Sequence, residues 1–151
     1  MSVPKSVVRF KNGNVEYISS VDRAKYTIKE LTRAALRDVG KYVSRMSNSE
    51  AMKLKGLKKS RRVRGRTSAF QYWVRRQEGD LQVGIKHGTW YGEQQELGTR
   101  KQPKRGILRN TVYDHIPTIV EIESKYLSAL EDEARALSLI SEEEYQGGDE
   151  S

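Results

Sequence analysis

With no cysteine in the chain, nucleophilic and metal chemistry would fall to histidines, carboxylates and hydroxyls, and there are only two histidines, His87 and His115. Neither has a second histidine or a carboxylate at the i+3 or i+4 spacing of a helical metal site. Thiolate metal sites and disulfides are excluded outright. No G-x-S-x-G turn raises a serine as a nucleophile, and no G-x-x-x-x-G-K-[ST] loop offers its amides to a phosphate. Glu131, Asp132 and Glu133 read as a solvated helix end rather than as a paired general acid and base. The expectation is a protein that is not an enzyme and carries no metal and no cofactor.

What the residues do offer is charge. Lys53, Lys55, Lys58, Lys59, Arg61, Arg62, Arg64 and Arg66 place eight cations within fourteen residues, with no carboxylate among them. Gly56 and Gly65 loosen the same stretch, so residues 52–68 read as a long basic loop. Such a run can neutralise phosphates by counterion release without reading a base. It has no aromatic residue on which a base could stack, so sequence-specific single-strand recognition is not expected. Contact with an acidic protein surface is the other use for this charge.

The net charge of +8 conceals an asymmetry: Glu131 to Ser151 holds eight carboxylates against Arg135 alone, so the first 130 residues carry +15. A basic body followed by an acidic tail suits contact with a polyanion or an acidic neighbour. Apolar residues are only 36% of the 151, a low share that suggests a chain completed by partners. No stretch approaches the roughly 18 apolar residues of a membrane span, and no signal-peptide core is evident, so no membrane contact is expected.

The elements that would position these groups follow from periodicity. Residues 6–18 read as a hairpin, with Val8 and Phe10 answered by Val15 and Tyr17 across Asn12-Gly13. Residues 20–47 read as a helix capped by Ser20. Its stripe is Val21, Ala24, Ile28, Leu31, Ala35, Val39, Tyr42 and Met46. A second hairpin over 69–86 alternates Phe70, Tyr72 and Val74, turns at Glu78-Gly79, and returns through Leu81, Val83 and Ile85. Residues 89–106 form a loop, and 107–131 form helices, with Pro117 in a first turn. The fold class is α+β: a long N-terminal helix and a C-terminal helix packed on a small antiparallel sheet built from the hairpins. Residues 1–140 make one domain, followed by an acidic disordered tail over 141–151.

One stretch carries a recognisable order of residues. Tyr91 is followed by Glu96-Leu97-Gly98-Thr99, then Pro103, then Ile107-Leu108-Arg109 opening a helix. Gly98 permits a turn that a β-carbon would obstruct, Thr99 can bond nearby backbone, and Pro103 stiffens the approach to the helix. Glu96 can pair with Arg100, Arg105 or a neighbouring subunit. This order resembles the pattern of the tail-completion, or minor tail, proteins of long-tailed bacteriophages: an aromatic, E-x-G-T, a proline, and an apolar-Leu-Arg triplet. The resemblance runs over roughly residues 20–131. Arg66-Thr67-Ser68-Ala69-Phe70 sits where the family has a Thr-Gly and Leu-Arg pair, with Ser68 in place of the glycine. Gly106 departs from the proline or aromatic common there, and the first hairpin and acidic tail fall outside the pattern.

The resemblance implies a structural virion protein, assembled in the host cytoplasm and placed in the neck or tail. It would form a ring with copies of itself, a hexamer in preference to a dodecamer, and meet neighbouring connector and tail-tube proteins. Double-stranded DNA would pass through its lumen, facing the basic loop. The alternative, from charge alone, is a non-sequence-specific nucleic-acid-binding protein that uses residues 53–66. Such a protein binds as a monomer with a steep salt dependence, whereas a connector protein assembles with its ring partners.

Overall fold

No proline occurs between Pro4 and Pro103, and a single helix runs from Val21 well past its predicted end. The computed structural model of the chain describes residues 4–5, 7–53, 70–86, 96–101 and 103–146, the side chains of 52 and 141–146 aside. Its elements are β1 (Val8–Asn12), β2 (Val15–Ser19), α1 (Val21–Lys53), β3 (Phe70–Arg75), β4 (Asp80–Ile85), α2 (Ile107–Asp114), α3 (Ile116–Ser128) and α4 (Glu133–Gln146). The class is α+β. The residues fall into two compact units, one made of those up to Ala35 and from Ser124 on, the other of Leu36–Glu123. None of the helices among the described residues is long and apolar enough to cross a membrane.

Helix α1 starts where the sequence placed it. Ser20 supplies the first accepting carbonyl, to Ala24 N, and the hydroxyl of Ser19 takes the Val21 N–H. At its other end the helix extends to Lys53 rather than stopping at 47. Lys53 is therefore helical, not part of a loop. Its ammonium sits 2.6 Å from Glu50, in the last turn of the helix, where a cation is favoured. The buried stripe also differs from the predicted one. Leu31 and Val39 are buried as expected, but Val21 and Ile28 are half exposed, and Thr27, Ala34, Gly40, Val43, Ser44 and Ser47 lie inside. Small residues let neighbouring chain approach closely, and a stripe drawn from apolar positions alone overlooks them.

The close approach is specific. A β-carbon on Gly40 would lie 2.6 Å from Tyr72 Cδ2 and 2.9 Å from Leu81 Cδ1. These two residues belong to one face of the β3–β4 hairpin, where Phe70 pairs with Ile85, Tyr72 with Val83 and Val74 with Leu81. Two turns further along α1, Asn48 Oδ1 accepts from Phe70 N at 3.0 Å and its Nδ2 donates to Phe70 O at 3.3 Å. A side-chain amide thus replaces the strand neighbour that an edge residue lacks. The opposite face of the hairpin carries exposed Trp73 and the Arg75–Asp80 pair at the turn, with Arg75 Nε 2.7 Å from Asp80 Oδ1. That hydrogen bond holds the Asp80 carboxyl below its ordinary range. Gly79, at φ +67°, closes the turn.

The first hairpin turns one residue later than predicted. Asn12 is the last paired residue of β1, opposite Val15, so the two-residue loop is Gly13-Asn14, with the positive φ at Gly13. The two hairpins do not share a sheet; each is its own two-stranded sheet. β2 runs into α1 through Ser20 alone, whereas β3–β4 is fastened at Gly40 and Asn48, so the hairpins serve different units.

At the C-terminal end a helix covers the first residues of the expected tail. Pro117 does sit in the first turn of α3. After a 3-10 turn over Ala129–Glu131, Asp132 caps a new helix, its Oδ1 accepting from Ala134 N at 3.0 Å and Arg135 N at 3.3 Å. Helix α4 then buries Ala136, Leu139 and Ile140 and continues to Gln146. Arg23 fastens this unit, with its guanidinium on Glu133 at 2.9 Å and on the Pro4 carbonyl at 2.8 Å.

Gly40→Val is expected to destabilise the chain by about 1–3 kcal/mol in urea unfolding, because the added carbons must displace Tyr72 and Leu81. Gly84→Ala, where a β-carbon meets nothing within 4 Å, is expected to be neutral or slightly stabilising. Equal effects at the two glycines would contradict the close packing at Gly40.

Candidate functional site

Helix α2 begins on a residue that cannot cap it. Gly106 stands at the N-cap in a left-handed conformation, φ +56° and ψ +43°, and has no side-chain oxygen to offer. An α-helix leaves its first N–H groups without internal partners, and a buried start needs acceptors for them. Glu96, ten residues earlier, supplies them. Its Oε2 accepts from Leu108 N at 3.0 Å, its Oε1 from Arg109 N at 3.2 Å, and its backbone carbonyl from Gly106 N at 3.3 Å. The Gly106 carbonyl then accepts from Asn110 N at 2.8 Å, the first regular helical bond, and Asn110 Nδ2 donates to the Arg105 carbonyl. A carboxylate at a helix N-terminus is favoured twice, by hydrogen bonding and by the helix dipole.

The chain between Glu96 and Gly106 must return on itself for this to happen. Gly98, at φ +80°, lies at the narrowest point: a β-carbon there would be 2.7 Å from Lys104 N. Both the conformation and the space demand glycine. Thr99 Oγ1 accepts from Lys101 N at 3.3 Å, tightening the tip, and Pro103 is exposed on the returning limb.

Glu96, Gly98, Thr99, Pro103, Leu108 and Arg109 therefore come together as one closed loop and helix start. The sequence suggested Arg100 or Arg105 as partners for the Glu96 carboxylate; it binds backbone N–H groups instead, which periodicity cannot reveal. A glycine opening a helix ten residues after a Glu was the available signal. Tyr91 lies outside the described residues, as do Lys55, Lys58, Lys59, Arg61, Arg62, Arg64 and Arg66 of the basic run, and His87. Lys53 takes no part in this cluster and ends α1. His115 lies in the turn between α2 and α3. Its Nδ1 is 2.8 Å from the Thr111 carbonyl, which can only accept, and its ring meets Tyr42 edge-on at 5.6 Å. It packs; no cluster of three or more His, Asp or Glu able to hold a metal occurs among the described residues.

Around the start of α2 the surface is concave. An open hollow of about 500 Å³ is lined by Lys104, Arg105, Gly106, Arg109, Asn110 and Tyr113. The Arg109 guanidinium lies 5.6 Å from the centre of the Tyr113 ring, a cation–π arrangement that restrains it. A second hollow, of about 400 Å³, is lined by Asp38, Lys41, Tyr42, Arg45 and Ile122, with charges of both signs. Among the described residues, neither lining pairs a nucleophile with a base. The arrangement at α2 can bind an anion or a protein surface, and it fixes the start of the helix rigidly.

Glu96→Ala should cost about 1–2 kcal/mol in chemical denaturation, as removal of a helix cap usually does, with faster amide exchange at Leu108 and Arg109. Unchanged exchange there would contradict the capping role. Gly98→Val should cost on the order of 3 kcal/mol, from the positive φ and the clash with Lys104. A variant as stable as the parent would show that the loop closes differently. Compared with protein-family models, curated proteins and solved structures, the chain matches none.

Proposed function

We propose that the chain is a structural protein of a tailed-bacteriophage virion, forming a ring at the head–tail junction around the DNA conduit and catalysing no reaction. The observation that carries this reading is the ordered set Tyr91, Glu96-Leu97-Gly98-Thr99, Pro103 and Ile107-Leu108-Arg109, which resembles the tail-completion family. The capping geometry supports the resemblance with a physical reason for the spacing. Glu96 must reach the N–H groups of the triplet, and Gly98 must let the chain return. A Glu, a Gly and a helix-opening triplet at these separations form one mechanical unit, so the match rests on more than three weak residues.

The first hairpin supports self-association. Phe10 and Tyr17 pair across the strands on one face with Val15 beside them, and Phe10 and Tyr17 remain 62% and 60% exposed. A two-stranded hairpin with an uncovered apolar face is marginal alone and gains by being covered. A neighbouring subunit in the ring would cover it; six copies fit a six-fold tail better than twelve. Connector and tail-tube proteins would meet the two ends of the ring.

Disrupting the gene should leave filled heads and unattached tails in lysates, with DNA replication at its normal rate, as seen by negative-stain microscopy and quantitative PCR. Normal infectious particles from the disrupted phage would sink the proposal.

A further inference from the structure

The hollow at the start of α2 concentrates charge that no described carboxylate neutralises. From Arg100 to Arg109 the chain carries Arg100, Lys101, Lys104, Arg105 and Arg109 with no carboxylate. Glu96 offsets one of these charges, and its oxygens are already engaged by backbone N–H groups. Among the described residues, no carboxylate is paired with Lys104, Arg105 or Arg109. Like charges repel, and a fold gains no stability by collecting them in a concavity. The N–H groups of Gly106, Leu108 and Arg109 are taken by Glu96, so the attraction for an anion is argued from the side chains and not from the helix end.

We infer that this hollow, through Lys104, Arg105 and Arg109, grips the sugar–phosphate backbone of double-stranded nucleic acid without reading its sequence. Three features select that ligand. The lining adds to the cations an amide, Asn110, and a phenol, Tyr113, side chains that commonly bind phosphate oxygens beside Arg and Lys. Among the described residues its lining contains no aliphatic side chain, so an acidic peptide would find charge there but no apolar anchor of the kind that carries protein interfaces. Among the described residues one aromatic ring, Tyr113, lines it and lies against Arg109, which is no stacking series for unpaired bases and favours a duplex over a single strand. Backbone recognition needs only cations fixed on a rigid support, and the Glu96 cap makes the start of α2 such a support. The duplex is thus the ligand of the signature segment, and only the source of that duplex rests on the virion reading.

The test uses the full chain and a fluorescein-labelled 20-base-pair duplex of arbitrary sequence, followed by anisotropy over a KCl titration. Each phosphate that a variant no longer neutralises flattens the slope of log K against log[KCl] by about 0.9. The triple variant Lys104→Gln, Arg105→Gln, Arg109→Gln should therefore flatten the slope by about 2–3 and bind at least about tenfold more weakly at low salt. A variant with the same charge removed elsewhere, Lys5→Gln, Lys25→Gln, Lys29→Gln, should change the slope by less than about 0.9. The loop variant Lys58→Ser, Lys59→Ser, Arg61→Ser, Arg62→Ser, combined with the hollow triple, should show the two effects adding. On the unsubstituted chain, duplex addition should shift the amide resonances of Gly106 to Asn110, a readout that needs no folded variant.

Equal flattening by the two Gln triples would overturn the site in favour of diffuse charge. So would duplex-induced shifts that spare residues 104–110, or binding of polyglutamate but not of duplex. The virion reading fails separately: a chain that binds duplex through the hollow yet is absent from particles would sink that reading alone, and a chain present in particles with an unchanged slope would sink this inference alone.

Discussion

An α-helix that opens on a residue without a side chain has to find acceptors elsewhere for its first N–H groups, and α2 finds them on Glu96. Three donors, on Gly106, Leu108 and Arg109, converge on this one residue. Everything distinctive about the 96–113 segment follows. The chain must turn back between the two partners, which puts Gly98 against the Lys104 backbone at a positive φ. The returning limb then carries Lys104 and Arg105 beside the start of the helix, and the first turn adds Arg109. A capping requirement therefore places three cations around one hollow.

The β3–β4 hairpin depends on a different constraint, the bare surface of α1 at Gly40. Tyr72 and Leu81 occupy the volume that a side chain would claim, and Asn48 ties the edge at Phe70 with two hydrogen bonds. Packing and hydrogen bonding agree on one register, Phe70 with Ile85, which keeps the apolar residues of both strands on the covered face. The first hairpin has no such seat. Its Phe10–Tyr17 pair is largely open to solvent, and no described residue covers it.

Electrostatics divide the molecule unevenly. Several of the ion pairs are exposed, such as Arg75–Asp80 between two strands and Lys53–Glu50 within α1, and exposed pairs of this kind contribute little to stability. The carboxylate with the most structural consequence, Glu96, bonds to backbone rather than to a cation. Among the described residues no carboxylate pairs with Lys104, Arg105 or Arg109, and this is the physical link between the fold of the segment and the use proposed for it.

Local pattern in the sequence determined the strands, most of α1, the turn glycines and the place of Pro117, because alternation, helical period and restricted φ act within a few residues. The absence of cysteine likewise excluded thiol chemistry without any need of coordinates. Tertiary structure alone decided the partners of Glu96, the seat of the hairpin at Gly40 and Asn48, and the separation of the two hairpins into different sheets. Helix α4 lies between these cases: Asp132 and the spacing of Ala136, Leu139 and Ile140 were present in the sequence, but the run of carboxylates around them read as solvated tail. The common reason is range. A cap ten residues away, a close approach across a helix and an amide replacing a strand neighbour all join distant residues, and no period or propensity in the chain encodes which distant atom will answer a given N–H.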